Sequence, residues 1–226
     1  MKLTMMNLFE TFDPSINNFS IQLNWIYMIM PMIFFPNFYW LVPSRILMSL
    51  KLFISHLFNE FKMIMMNKFI PNIFMFLSLM LYIMMMNLFS LMPYIFTSTS
   101  HLLFNLSMAI SFWFSFMVYS AFNHPLKTLS HLVPLNSPKF LMHFMVIIEM
   151  ISLIIRPWTL SIRLSANLIS GHLILILLSN FMMNFLMLSP MTLFIQNMLL
   201  ILEISMAMIQ AYVFAILLTL YFSESN

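Results

Sequence analysis

The sequence predicts an all-α membrane protein: one N-terminal span, an interfacial amphipathic helix, a two-helix hairpin, then two long tilted helices forming an antiparallel hairpin. Three observations predict it. Of 226 residues, 62% are hydrophobic and 7% charged, where a soluble domain of this size carries about a quarter charged. Mean hydropathy is +0.98, and apolar runs long enough to cross about 30 Å of hydrocarbon recur along the chain. The last two runs, 140–182 and 191–222, far exceed the length that a perpendicular helix needs. A single polytopic membrane domain over 1–226 accounts for the whole pattern.

Composition also excludes function classes. The formal net charge of +3 is spread too thinly for nucleic-acid binding. Cysteine is absent, so disulfides and thiolate metal sites are ruled out. Met 28 and Phe 26 against Gly 1 resemble the biased usage of an AT-rich organellar genome. Residues 1–18, with Lys2, Glu10 and Asp13, fit neither a basic transit peptide nor a signal peptide.

Residues 19–42 are apolar apart from Gln22, Asn24 and Asn37. With Trp25 and Trp40 near the ends and Pro31, Pro36 and Pro43 inside or after them, they read as a kinked span. Residues 44–66 divide on a helical wheel. Arg45, Ser49, Lys51, Asn59, Glu60 and Lys62 share one half, while Ile46, Leu50, Phe53, Leu57, Phe61 and Ile64 share the other. That pattern fits a helix lying in the membrane surface.

Spans follow at 71–92, opened by Pro71, and at 101–122, joined by the Pro93–Ser100 turn. On the second, Ser107, Ser111 and Ser115 form a small-residue ridge suited to close helix contact, and His101 at its start reads as a solvated interfacial histidine. Residues 123–139 form a polar connection. Its His124 and His131, seven apart and without acidic neighbours, make no metal site. Basic residues cluster between the first two spans (Arg45, Lys51, Lys62, Lys68) and after the third (Lys127, Lys139). The positive-inside rule puts both segments on the negative side and the N-terminus on the other.

The polar residues of the two long helices carry the functional reading. Glu149, Ser152, Arg156, Thr159, Arg163, Ala166 and Ser170 recur every three or four residues, along one face of the first. The second carries Gln196, Glu203 and Gln210 at heptad spacing, beside a row of Ala207, Ala211, Ala215 and Thr219. In an antiparallel hairpin, facing residues have position numbers of constant sum, about 375 for a turn near 187–188. That register sets His172 opposite Glu203 and brings Arg163 within about one turn of Gln210. Arg163 lies about 13 Å along the helix from the His172–Glu203 level and about 21 Å from Glu149, so no acid of its own chain is in reach. An unpartnered Arg costs about 3 kcal/mol in hydrocarbon on insertion scales. Two readings stand at this point: a structural ion-pair network stitching the hairpin, or a path for protons or ions that uses an acid supplied by another chain.

The stretches SIRLSANLISGH (161–172) and LEISMAMIQAYVF (202–214) closely resemble the subunit a (subunit 6) family of mitochondrial F-type ATP synthases. NLFETFDPS (7–15), MVIIEMISLII (145–155) and the order of helices agree, so the resemblance covers nearly the whole chain. It implies a stator subunit of the inner membrane, beside a c-subunit ring and other Fo subunits and in contact with lipid. It implies that Arg163 is the essential arginine facing the ring carboxylate. His172, Glu203, Asn167 and Gln210 would belong to the half-channel from the intermembrane space and the central arginine region, Glu149 to the matrix exit, and Arg156 would be auxiliary. No nucleotide motif, cofactor site or metal site is expected, because such a subunit makes no ATP itself. Against this stand a secondary transporter, which would need a cavity built from broken helices or repeated halves, and a purely structural membrane subunit of a respiratory complex.

Overall fold

The computed structural model describes residues 12–14, 23–34, 42–65, 70–92, 95–123, 125–133, 141–185, 187 and 189–225. All regular structure among them is helical. Near the N-terminus, a 3-10 helix at Leu23–Met28 leads into α1, Met30–Phe34. The Tyr82 hydroxyl donates to the Met28 carbonyl at 3.3 Å and ties this segment to the bundle. The remainder of the expected 19–42 span, Lys68, Lys139 and His124 lie outside the described residues, as do the side chains of Lys127 and His131.

The amphipathic helix is α2, Arg45–Ile64. The Ser44 side chain caps it by accepting from the Leu47 amide at 3.4 Å, which satisfies a donor that no helical carbonyl reaches. Its two ends differ in burial. Leu57, Phe61 and Met65 are buried in the main core, while Ile46 and Leu52 remain exposed. The Tyr212 hydroxyl donates to Glu60 Oε2 at 2.9 Å, fixing the packed end of α2 to the last helix.

Four described helices are long and apolar enough to cross a membrane: α3 (Ile70–Ser90), α4 (Leu102–Asn123), α6 (Met142–Asn184) and α7 (Ser189–Ser225). The stretch 123–139, expected to be a plain connection, contains a further short helix, α5, Pro125–His131. Proline begins it where a missing amide costs least. Pro157 lies inside α6, which runs unbroken over 43 residues, although its nitrogen cannot donate to the carbonyl one turn back.

Helix α7 is central and packs against α3, α6, α4 and α2. The reason lies in its sequence. Ala207, Ala211, Ala215 and Thr219 are all buried, none more than 3% exposed, and side chains this small allow neighbouring backbones to approach closely. Phe222 then joins three helices, with ring centroids 5.8 Å from Phe76 and 5.4 Å from Phe116. The serine ridge of α4 behaves differently. Ser107, Ser111 and Ser115 are exposed, and their hydroxyls turn back to carbonyls three residues earlier at 2.7–2.9 Å. Among the described residues the ridge is left uncovered.

Candidate functional site

A cavity of about 150 Å³ opens between α3, α6 and α7, and its lining includes Asn87, Asn167, Gly171, Glu203 and Gln210. The hairpin register places them. Glu203 lies against Gly171, within one residue of the expected alignment, and a Cβ added at 171 would stand 2.7 Å from Glu203 Oε1. The only glycine in the chain therefore sits where α6 makes room for a carboxylate of α7. Asn87 enters from α3, its amide donating to the Ala207 carbonyl at 3.3 Å.

His172 is placed by a different neighbour. Its ring meets Phe12 edge-on, with centroids 6.4 Å apart. His172 Nε2 and Glu203 Oε2 are both buried and have no hydrogen-bond partner among the described residues. The two groups thus occupy adjacent levels of the hairpin without bonding directly through these atoms. Buried polar groups are normally paired with protein or water, so this pair marks a place that water can serve.

The expected polar face of α6 divides in two. Thr159, Arg163, Ala166 and Ser170 are exposed, together with Ile155 and Ile162, whereas Glu149, Ser152 and Arg156 are half-buried. Helical pitch accounts for it: a heptad pattern drifts by about 20° per repeat, or about 60° over the three repeats from Glu149 to Ser170. Consequently the two arginines have different surroundings. Arg156 lies 3.9 Å from Glu149 Oε1 and stacks over Tyr221, 5.1 Å from the ring centroid. Both members of the pair line a second cavity of about 560 Å³, with Trp113, Ser120, Thr128 and Tyr221. Arg163 lines neither cavity and has no hydrogen bond or ion pair among the described residues.

The structure thus brings together Asn167, Glu203 and Gln210, sets His172 beside them, and gathers Glu149 with Arg156 nearer the start of α6, about 16–27 Å along the axis from Asn167. Sequence reasoning missed Asn87, Tyr221 and the Glu60–Tyr212 bond. Asn87 carried a signal, since it is a polar residue well inside an apolar span, where an amide needs a partner. Among the described residues, no cluster of three or more His, Asp or Glu could hold a metal ion.

Comparison with known proteins matches residues 19–223 to the family model "ATP synthase A chain". "ATP synthase subunit a" of Apis mellifera ligustica is 61% identical over 224 residues, covering 99% of each chain. The protein of the same description from Drosophila melanogaster is 47% identical over 226 residues, 98% of this chain and 100% of its own. "ATP synthase F(0) complex subunit a" of Rhopalosiphum padi is 45% identical over 219 residues, covering 96% and 99% respectively.

Proposed function

The chain belongs to the ATP synthase A chain family, and from that premise we propose that it is the stator subunit that passes protons, through two offset half-channels, to and from the carboxylates of a c-subunit ring. Membership makes it a membrane subunit of the Fo sector that translocates protons and is not itself the catalyst. Its partners are other subunits of the synthase. We place it in the mitochondrial inner membrane as a multi-pass protein with its N-terminus toward the intermembrane space.

One observation carries the reading. Arg163 stands on an exposed face of α6 with no ionic partner among the described residues, while Arg156 has both a carboxylate and an aromatic ring. A guanidinium is permanently charged and costly in hydrocarbon. A carboxylate on a neighbouring ring supplies the missing anion.

In this reading a proton from the intermembrane space passes His172, Glu203, Asn167 and Gln210 and neutralises a ring carboxylate, which can then turn into lipid. After nearly a full rotation the carboxylate reaches the Glu149 cavity and releases its proton to the matrix. Arg163 holds the ionised carboxylate in the interface and prevents a direct leak between the two paths. The separation of the two cavities along α6 supports two distinct aqueous accesses.

ATP-driven proton pumping in membranes carrying Arg163→Ala tests this. Pumping should fall to background with the complex still assembled. Retained pumping in assembled enzyme would return the chain to a structural role.

A further inference from the structure

Five buried side-chain atoms have no hydrogen-bond partner among the described residues: Asn87 Oδ1, Thr99 Oγ1, His101 Nε2, His172 Nε2 and Glu203 Oε2. Three belong to residues already placed at the cavity or beside it. Thr99 and His101 belong to the turn before α4, which the proposed mechanism does not use.

That turn is a buried polar knot. Thr97, Ser98, Thr99 and Ser100 are each no more than 5% exposed, and Thr99 is fully buried. Asn105 donates to the Thr99 carbonyl at 2.7 Å, and the Thr97 and Ser100 hydroxyls meet at 2.9 Å. His101 is only partly exposed, with its Nε2 buried, where its position in the sequence predicts a solvated side chain. Its ring forms a three-ring cluster with Trp25 and Phe96, each with centroids 5.2 Å away.

Two helix registers set the level of this knot. Helices α4 and α6 run antiparallel, with Trp113–Ser120 sharing a cavity with Glu149–Arg156. Moving back along α4 to Ser98–Ser100 brings α6 forward to about Gly171. Helices α4 and α7 run parallel, with Phe116 against Phe222. The same displacement on α7 ends near Glu203. The short helix Ser98–Ser100 packs on both α6 and α3, so all five unpartnered atoms fall at one level of the bundle. Leaving a buried donor or acceptor unpaired is unfavourable. Ordered water, which commonly makes about three hydrogen bonds, could satisfy neighbouring atoms of this kind.

We infer that the Thr97–His101 turn is the outer, water-holding part of the intermembrane-space path, with Thr99 Oγ1 and His101 Nε2 as positioning groups that order water leading to His172 and Glu203. This rests on the proton path proposed above. The role requires hydrogen-bonding capacity at two atoms and no net change in either residue. Protons hop from water to water while the side chains hold the oxygens in line.

The test uses the assembled enzyme in vesicles, with passive proton flux through Fo as readout, normalised to the amount of assembled complex. Thr99→Val keeps the shape and removes the hydroxyl. His101→Phe keeps the aromatic stacking and removes the nitrogen. His101→Gln keeps a polar end and removes the ring. Flux should fall about tenfold in Thr99→Val and His101→Phe and stay near normal in His101→Gln. A purely structural histidine gives the reverse order, with Phe active and Gln impaired, and overturns the inference. So does normal flux in Thr99→Val, which decides the matter should His101→Phe not assemble. A second readout needs no loss of function. The chain contains no cysteine, so Thr99→Cys should react with silver ion applied from the intermembrane-space side, above the background of the parent enzyme. An unreactive Thr99→Cys means a dry turn. Glu203→Gln in the same vesicles separates the two levels of argument. Normal flux in Thr99→Val beside a dead Glu203→Gln removes only the turn from the path, whereas normal flux in Glu203→Gln removes the path itself.

Discussion

Glu203 rests on the bare Cα of Gly171, close enough that one added methyl would stand 2.7 Å from its carboxylate oxygen. The contact joins α6 to α7 at the level of the cavity and leaves the carboxylate half-buried.

Gly171→Ala should therefore separate stability from function. Alanine favours a helix over glycine by about 1 kcal/mol, and the atoms it would meet are the flexible end of a side chain. Assembly and heat resistance should stay level or improve, while proton flux falls several-fold because the carboxylate is displaced. Thermal inactivation and proton pumping measured on the same preparation check both halves. Unchanged flux would mean that the placement of Glu203 does not matter.

The two arginines should differ in kind. Arg163→Ala should abolish coupled pumping, whereas Arg156→Gln should leave substantial activity. Its charge is compensated by Glu149, and its stacking on Tyr221 is worth about 0.5–1 kcal/mol at a partly exposed site. Glu149 would be left unpaired, so a modest loss is expected. Equal inactivity of the two variants in assembled enzyme would contradict the assignment of a single essential arginine.

Overpacking should expose the dependence of α7 on its small residues. Ala211 and Ala215 are fully buried, and a leucine at either should cost about 1–3 kcal/mol or more. The expected outcome is a lower yield of assembled complex, measured by native gel. The same substitution at Ala166, on the exposed face of α6, should leave folding of the chain intact and instead impair the approach of a ring.

Helix α2 should lie along the membrane surface. Spin labels at Ile46 and Phe53 should be reached by oxygen dissolved in lipid, and labels at Ser49 and Asn59 by a water-soluble relaxant. Alternation of this kind over 44–66 fits a surface helix. A single depth gradient from one end to the other would show that it crosses the bilayer.

Sequence reasoning reached what repeats locally. The long helices were visible as apolar runs. The row from Ala207 to Thr219 was visible as spacing, and its burial follows from close helix packing. The hairpin register came within a residue because two antiparallel helices share one geometric constraint. Contacts between distant segments left no periodic trace. The Phe12–His172 contact, the Trp25 ring beside His101, and the Tyr212–Glu60 bond join residues 76 to 160 positions apart, and only folding reveals them. The serine ridge of α4 shows the converse. Spacing identified a surface able to receive a helix, but could not tell whether this chain supplies one.

The unbroken course of α6 has an electrical consequence. At 43 residues it is about 64 Å long, and if all of it lies within about 30 Å of hydrocarbon it inclines by about 60° from the membrane normal. Glu149 and His172, about 35 Å apart along the axis, then differ in depth by only about 17 Å. If water reaches both, the transmembrane voltage falls across roughly half the usual thickness, and the local field about doubles. The same inclination offsets the two residues sideways by about 30 Å. On the proposed path, a proton passing between these two levels would then travel farther parallel to the membrane than through it, a displacement suited to a carrier that circulates in the membrane plane.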